Sequence, residues 1–149
     1  MPMLSVTFLG TGAACPSPER NVTSLAVQRE GEVILLDCGE GTQRQMMRYG
    51  VGFAVHGVFF THYHADHTWG NCFFPGALVI AHSLCRTLLA ERGIPSLETV
   101  RKQNQVFRQV KIVLPHLTFS QGNLSLRIGK KNLTLLSAPG HSPDGIAVL

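Results

Sequence analysis

The stretch Thr61-His62-Tyr63-His64-Ala65-Asp66-His67 constrains this chain more than any other. Three histidines and an aspartate fall within six residues, directly behind the apolar run Gly57-Val58-Phe59-Phe60. Alternate residues of a strand share a face, so His62 and His64 are expected to point the same way. Asp66 and His67 then lie just past the strand end, where a turn can fold them towards a second nearby point. Imidazole and carboxylate donors in that arrangement suit two metal ions held side by side. A histidine-rich surface loop or a satisfied core histidine is the plainer alternative. Four ligand-type residues at one strand-to-helix corner favour metal.

With 149 residues, a single domain over 1–149 is the default, and such a chain can bury roughly 68–70% of its unfolded surface. Charged residues are only 15% of the chain against 44% hydrophobic, a balance that favours a folded core. No apolar run reaches the roughly 18 residues of a membrane span. Met1-Pro2-Met3-Leu4 has no basic segment ahead of an apolar one, so no signal peptide is read and the cytoplasm is expected. The net charge of +4 would suit a polyanion such as RNA without requiring one. Cys15, Cys38, Cys72 and Cys85 show no CxxC spacing and are read as free thiols. Cys72 follows the histidine cluster closely enough to lie near it, but small-residue packing is its expected role.

Leu4-Ser5-Val6-Thr7-Phe8-Leu9 alternates as a first strand. The loop from Gly10 to Pro18 lacks the Lys-Ser/Thr of a P-loop and the third glycine of a dinucleotide fingerprint, so it signals phosphate binding only weakly. Strands are expected over Ser24–Gln28 and Val33–Leu36. Asp37-Cys38-Gly39-Glu40-Gly41-Thr42 turns the chain into a short helix, Gln43–Tyr49, ended by Gly50. An acid at a strand's carboxyl end faces the crevice where open sheets bind ligands. Turn capping and metal contact both fit Asp37, and orienting a ligand histidine reconciles them.

Thr68–Asn71 leads into a short helix, Leu78–Ala81 reads as a strand, and Ser83–Arg92 as an amphipathic helix ended by Gly93 and Pro95. His82 at its start reads as a cap or surface residue. Residues 97–111 form an expected basic surface helix, and Lys111–Leu114 and Leu117–Phe119 short extended segments. His116, in the loop between them, is not counted as a ligand. Leu124–Ile128 and Leu133–Leu136 alternate as a hairpin around Gly129-Lys130-Lys131-Asn132, delivering Pro139-Gly140-His141-Ser142-Pro143. His141 follows a strand end, as the first cluster does, and is the natural third imidazole for one metal. Ile146–Leu149 begins another strand.

His62-x-His64-x-Asp66-His67 behind a strand, with Gly140-His141-Ser142-Pro143 about 75 residues later, resembles the metallo-β-lactamase superfamily. The resemblance implies a mixed α/β (α+β) fold, an αββα sandwich with metal at the edges of its two sheets. It implies His62, His64 and His141 on one zinc and Asp66 and His67 on a second. Phe8-Leu9-Gly10-Thr11-Gly12, Pro16, Arg20–Ser24 and Asp37–Gln43 look like ribonuclease Z, the endonuclease that trims tRNA 3′ ends. That likeness covers about residues 4–67. Thr68-Trp69-Gly70-Asn71-Cys72-Phe73-Phe74-Pro75 departs from the Gly-Leu-Pro-Gly-Leu-Leu that usually follows there, and Pro139–Pro143 looks more like a general hydrolase of the superfamily. A seam is therefore expected near residues 62–68.

Family members continue to a metal-bridging aspartate and a final histidine ligand that no residue up to Leu149 supplies, so the first half of the sandwich is expected here. Such a half would expose an apolar face, which implies self-association or a partner. The leading expectation is a zinc-dependent hydrolase, with one or two zinc ions, acting like a tRNA 3′-endonuclease through a hydroxide generated at the metals. Asp66 is the expected catalytic residue, orienting that hydroxide and carrying its proton. The alternatives are a hydrolase of small esters, thioesters or lactones, and a catalytically incomplete metal-binding fragment or engineered chimera.

Overall fold

Apolar alternation in the chain builds two stacked sheets in a computed structural model that describes residues 3–128 and 130–149. Met1 and Pro2, on which the leader reading partly rests, and the hairpin residue Gly129 lie outside the described residues. Strands β1 (Ser5–Gly10), β2 (Ser24–Arg29) and β3 (Glu32–Leu36) run antiparallel. β4 (Val55–Phe59), β5 (Leu78–His82) and β6 (Leu117–Phe119) extend the sheet in parallel, in the order β1-β2-β3-β4-β5-β6. Parallel neighbours need long crossovers. Helix α1 (Thr42–Tyr49) lies between β3 and β4, α2 (Ala65–Thr68) between β4 and β5, and α3 (Ser83–Leu88) and α4 (Ile94–Gln103) between β5 and β6. β7 (Asn123–Ile128), β8 (Lys131–Ser137) and β9 (Ile146–Val148) form the second, antiparallel sheet.

The period of two along each strand divides the core. Ala26, Leu35, Val58 and Val79 stand side by side across four strands. They pack with Met46 of α1, Cys85 of α3 and Leu89. The opposite face offers Ile34, Phe59 and Ile80, which meet Leu135 and Ile146 of the second sheet. The layers are therefore helices, six-stranded sheet, three-stranded sheet. Burial of each large apolar side chain contributes roughly 1.5–3 kcal/mol to holding them together.

The second sheet does not reach the margin of the first. Val6 and Phe8 pair with Val27 and Leu25, so they face the side that the second sheet covers elsewhere. Yet Leu4, Val6 and Phe8 remain 57%, 49% and 63% exposed. A cavity of about 220 Å³, lined by Leu4, Val27, Ile34 and Leu133, marks where cover ends.

Two expectations about helices need correction. Gly93 and Pro95 do not stop the helix that begins at Ser83: a π-helical turn, Leu89–Gly93, joins α3 to α4 without a break. Pro95 has no N–H to offer the Glu91 carbonyl, and its ring would strike that oxygen in a regular helix; the wider turn accommodates it. The basic segment 97–111 is not one helix, since α4 ends at Gln103 and a 3₁₀ turn follows at Gln105–Gln109. Lys111–Leu114 joins no sheet among the described residues, and Ile112, Val113 and Leu114 pack on the core. His82 is the expected cap, its Nδ1 accepting from the Leu84 N–H, but it is buried rather than at the surface.

One close approach positions everything that follows. The turn after β3 crosses the segment after α2, with the Cys38 N–H donating to the His67 carbonyl at 2.7 Å and the Gly70 N–H to the Cys38 carbonyl at 2.8 Å. A Cβ on Gly70 would stand 2.1 Å from the Gly39 carbonyl oxygen, and one on Gly39 would stand 2.3 Å from that of Asp66. Both clashes are with backbone, which cannot swing aside. Gly70→Ala is accordingly expected to lower stability by about 1–3 kcal/mol or more, read as a reduced urea midpoint with an unchanged m-value.

Candidate metal centre

Strand β4 ends at Phe59, so His62 and His64 do not ride on a strand as the alternation suggested; they sit in the bends that follow it. They converge by loop geometry instead. His64 is the N-cap of α2 in an extended backbone conformation and makes no side-chain cap bond, which leaves its imidazole free. The helical turn of α2 folds Asp66 and His67 back against the loop, with the His67 N–H donating to the His64 carbonyl at 3.0 Å.

His141 arrives from the second sheet. Its loop closes through Ala138 N–H to the Gly145 carbonyl at 2.8 Å, and β9 is tied to the first loop by Ile146 N–H to the Thr61 carbonyl at 2.9 Å. The result is one cluster: His62 Nε2 lies 3.1 Å from His64 Nδ1, and His141 Nε2 lies 3.2 Å from the same atom. One donor nitrogen from each of the three lies within 4.8 Å of the others. A tetrahedral zinc ion 2.0–2.1 Å from each nitrogen would set them about 3.4 Å apart. The donors therefore fit one divalent ion.

Asp66 and His67 form a second, adjacent pair, with His67 Nε2 at 3.5 Å from Asp66 Oδ2. That same oxygen accepts the Ala14 N–H at 2.9 Å, so the glycine-rich loop after β1 braces the aspartate rather than cradling a phosphate there. His67 is oriented by its other nitrogen, Nδ1, at 2.7 Å from Asp37 Oδ2. Asp37 also accepts from the Thr61 N–H and the Thr61 hydroxyl, each at 2.7 Å. It holds a left-handed backbone, φ 62°, which few residues other than glycine adopt and which asparagine and aspartate tolerate best. The supporting role expected for Asp37 is thus its geometry.

Sequence reasoning passed over two residues. Thr61 joins the Asp37 carboxylate, the His62 ring (hydroxyl to Nδ1, 3.1 Å) and β9. Asp144 is fully buried, accepts from the Ser142 hydroxyl and has no partner for Oδ2 among the described residues. Its setting, Pro-Asp-Gly, reads as an ordinary turn, and only the fold carries it inside. Burial raises the thiols of Cys38, Cys72 and Cys85, those of Cys38 and Cys85 well out of the reactive range, and all four cysteines are unpaired as expected.

Residues 17–149 match the metallo-beta-lactamase superfamily. The chain belongs to that superfamily. Among curated relatives, ribonuclease Z of Gemmatimonas aurantiaca is 63% identical over 70 residues, which is 47% of this chain and 22% of that protein. Ribonuclease Z of Haloarcula marismortui is 56% identical over 75 residues, 50% of this chain and 23% of that one. The match thus spans less than a quarter of the length of these relatives. A motif mutant of a metallo-beta-lactamase from Cronobacter sakazakii aligns over 96% of this chain and 55% of its own, with TM-score 0.69 and 21% identity. The short form of human tRNase Z aligns over 88% of this chain and 57% of its own, with TM-score 0.58 and 23% identity. Both share the fold.

The centre carries a pH signature of its own. Burial, with the neighbouring His67, lowers His62 from its ordinary 6.5 to about 4. Burial alone would lower His67 too, but the hydrogen bond and charge of Asp37, with Asp66, outweigh it and leave that ring raised. The unfolded chain takes a proton at His62 below about 6.5 and the folded chain only near 4, so this group's contribution is complete above 6.5 and lost as pH falls. His67 works the other way, its contribution present below 6.5 and lost as pH rises through its raised value. In metal-stripped protein, His62→Gln is therefore expected to flatten the fall in melting temperature between about pH 6.5 and 5. A slope equal to that of the parent would show that His62 is not the group responsible.

Proposed function

We propose that this chain forms the zinc-binding, hydrolytic centre of a ribonuclease Z-like enzyme and acts on a phosphodiester of tRNA precursors. The observation that carries the reading is the convergence of His62, His64 and His141 nitrogens in a member of a superfamily whose matching curated relatives include ribonucleases Z. In this reading the three histidines hold one zinc, and Asp66 and His67 contribute to a second. A divalent ion so held lowers the pKa of water towards neutrality and offsets charge on the group under attack. Asp37 fixes the His67 ring so that Nε2 is its free donor, the arrangement that orients metal-binding histidines generally. Asp66, braced by Ala14, orients the attacking water and takes up its proton. The cytoplasm is the proposed location; among the described residues, no helix is long and apolar enough to cross a membrane.

A second reading, one metal and no catalysis, draws on the same geometry, because among the described residues no third donor joins Asp66 and His67. Metal content per chain separates the two. The hydrolase reading expects close to two zinc ions in freshly purified protein and cleavage of a tRNA precursor. His64→Ala should cut zinc affinity by more than ~100-fold and abolish cleavage while the far-ultraviolet spectrum stays intact. One ion and no cleavage would favour the second reading, and hydrolysis of small esters alone would favour an acyl substrate.

The curated match covers about half of the chain, and we propose a seam near residues 62–68, where the motifs of the chain change character. The uncovered strip of Leu4, Val6 and Phe8 lies on edge strand β1 and the residue before it, and we propose a second copy of the chain as its cover. Sedimentation should find a dimer, and Val6→Lys should return it to monomer. A monomeric parent that binds no apolar dye would overturn this part of the proposal.

A further inference from the structure

We propose that Arg92 is an anion-binding residue of this centre, holding a phosphate of the RNA strand that flanks the one under attack. The inference rests on the phosphodiester reading above. A cavity of about 430 Å³ has His64, Asp66, Tyr63 and Ala14 on one side and Arg92, Gly93 and Ser96 on the other. Ser96 follows Gly93 by three residues and Arg92 by four, which puts it on the same helix face as each of them. That face looks across the cavity at the histidine cluster.

The segment is built in an unusual way. Arg92 lies in the π-helical turn Leu89–Gly93, which Pro95 imposes on the helix. Such turns recur at functional sites because the wider ring re-aims side chains. The described ion pairs join Arg44 to Glu40 and His67 to Asp37 and Asp66, and none involves Arg92. Among the described residues its guanidinium thus has no ion-pair partner, and it lines the same cavity as His64 and Asp66. Guanidinium matches phosphate oxygens in a two-pronged geometry that an ammonium cannot copy.

The neighbouring space favours a nucleotide over a small acid. A second cavity of about 270 Å³ shares Ala14, Asp66, Trp69 and Ser96 with the first and continues to Val100 and Phe107. Trp69 and Phe107 meet edge to face there, ring centres 5.4 Å apart. An apolar, aromatic pocket beside a free guanidinium suits a base and its phosphate together.

The test is binding of a labelled, non-cleavable single-stranded RNA to the zinc-loaded protein, followed by fluorescence anisotropy from 50 to 200 mM salt. Arg92→Ala should weaken binding about tenfold and reduce the slope of log K against log salt by about 0.7, the value of one lost phosphate contact on a single strand. Arg92→Lys, which keeps the charge, should retain most of the slope but not all of the affinity. An unchanged slope in Arg92→Ala, or no RNA binding by the parent, overturns the inference. Turnover of bis(p-nitrophenyl) phosphate, which carries no second anion, reports on the hydrolytic reading separately. Its absence in a parent that binds RNA would sink the hydrolytic reading while leaving the Arg92 contact standing.

Discussion

The Asp37 carboxylate is the interaction on which the rest of the centre depends. It accepts three hydrogen bonds, from the Thr61 N–H, the Thr61 hydroxyl and His67. Its own backbone is held as firmly, with the Asp37 N–H donating to the Phe59 carbonyl and its carbonyl accepting from Ser24. A buried carboxylate is costly unless its oxygens are satisfied, and a left-handed backbone adds strain of the order of 1–3 kcal/mol. Both are sustainable here because β2, β4 and the histidine loop all bond to the same residue. The consequence is positional: the loop between Phe59 and α2 has no ladder of its own, yet Thr61 and His67 are fixed at its two ends.

Much of this could be read from the chain because its patterns are local. The alternation in β1 to β3, the turn at Gly41 and the hairpin of β7 and β8 follow from side-chain period and turn chemistry, which neighbours in sequence determine. The metal-type spacing of His62, His64, Asp66 and His67 is legible for the same reason. The pairing with His141 is a long-range event, and the sequence indicated it only through a shared setting, a histidine just beyond a strand. Asp144 and Thr61 had no such marker. An aspartate in Pro-Asp-Gly and a threonine before a histidine are common, and only long-range structure distinguishes them, burial for Asp144 and bonds to Asp37 and Ile146 for Thr61.

The misread helix end at Gly93 and Pro95 has a clear physical origin, namely that tertiary packing overrides a local stop signal. Gly93 and Pro95 end helices in most contexts, yet Leu89 and Leu97 are each buried on either side of them, and burying both through one continuous rod outweighs the bond that Pro95 cannot make. The π turn is the compromise. It also explains why the cleft wall has a cation on it, since the displaced turn is the one that carries Arg92.

The three clustered histidines come from two layers, so a metal bound there would be tied to the stability of the fold. His62 and His64 belong to the loop behind the six-stranded sheet, while His141 belongs to the three-stranded one. Between those layers the shared core is small, Ile34, Phe59 and Ile80 against Leu135 and Ile146, and it stops short of β1. Hydrogen bonding adds Ile146 to Thr61 at the same edge. On the proposed reading, an ion at the three histidines would cross-link the sheets at the place where their apolar contact is limited. Its binding free energy would then be partly folding free energy. The second sheet is thus tied to the histidine loop at its β9 edge, while β1 of the first sheet lies beyond its cover, and on the proposed reading a metal and a second copy of the chain would act at those two places separately.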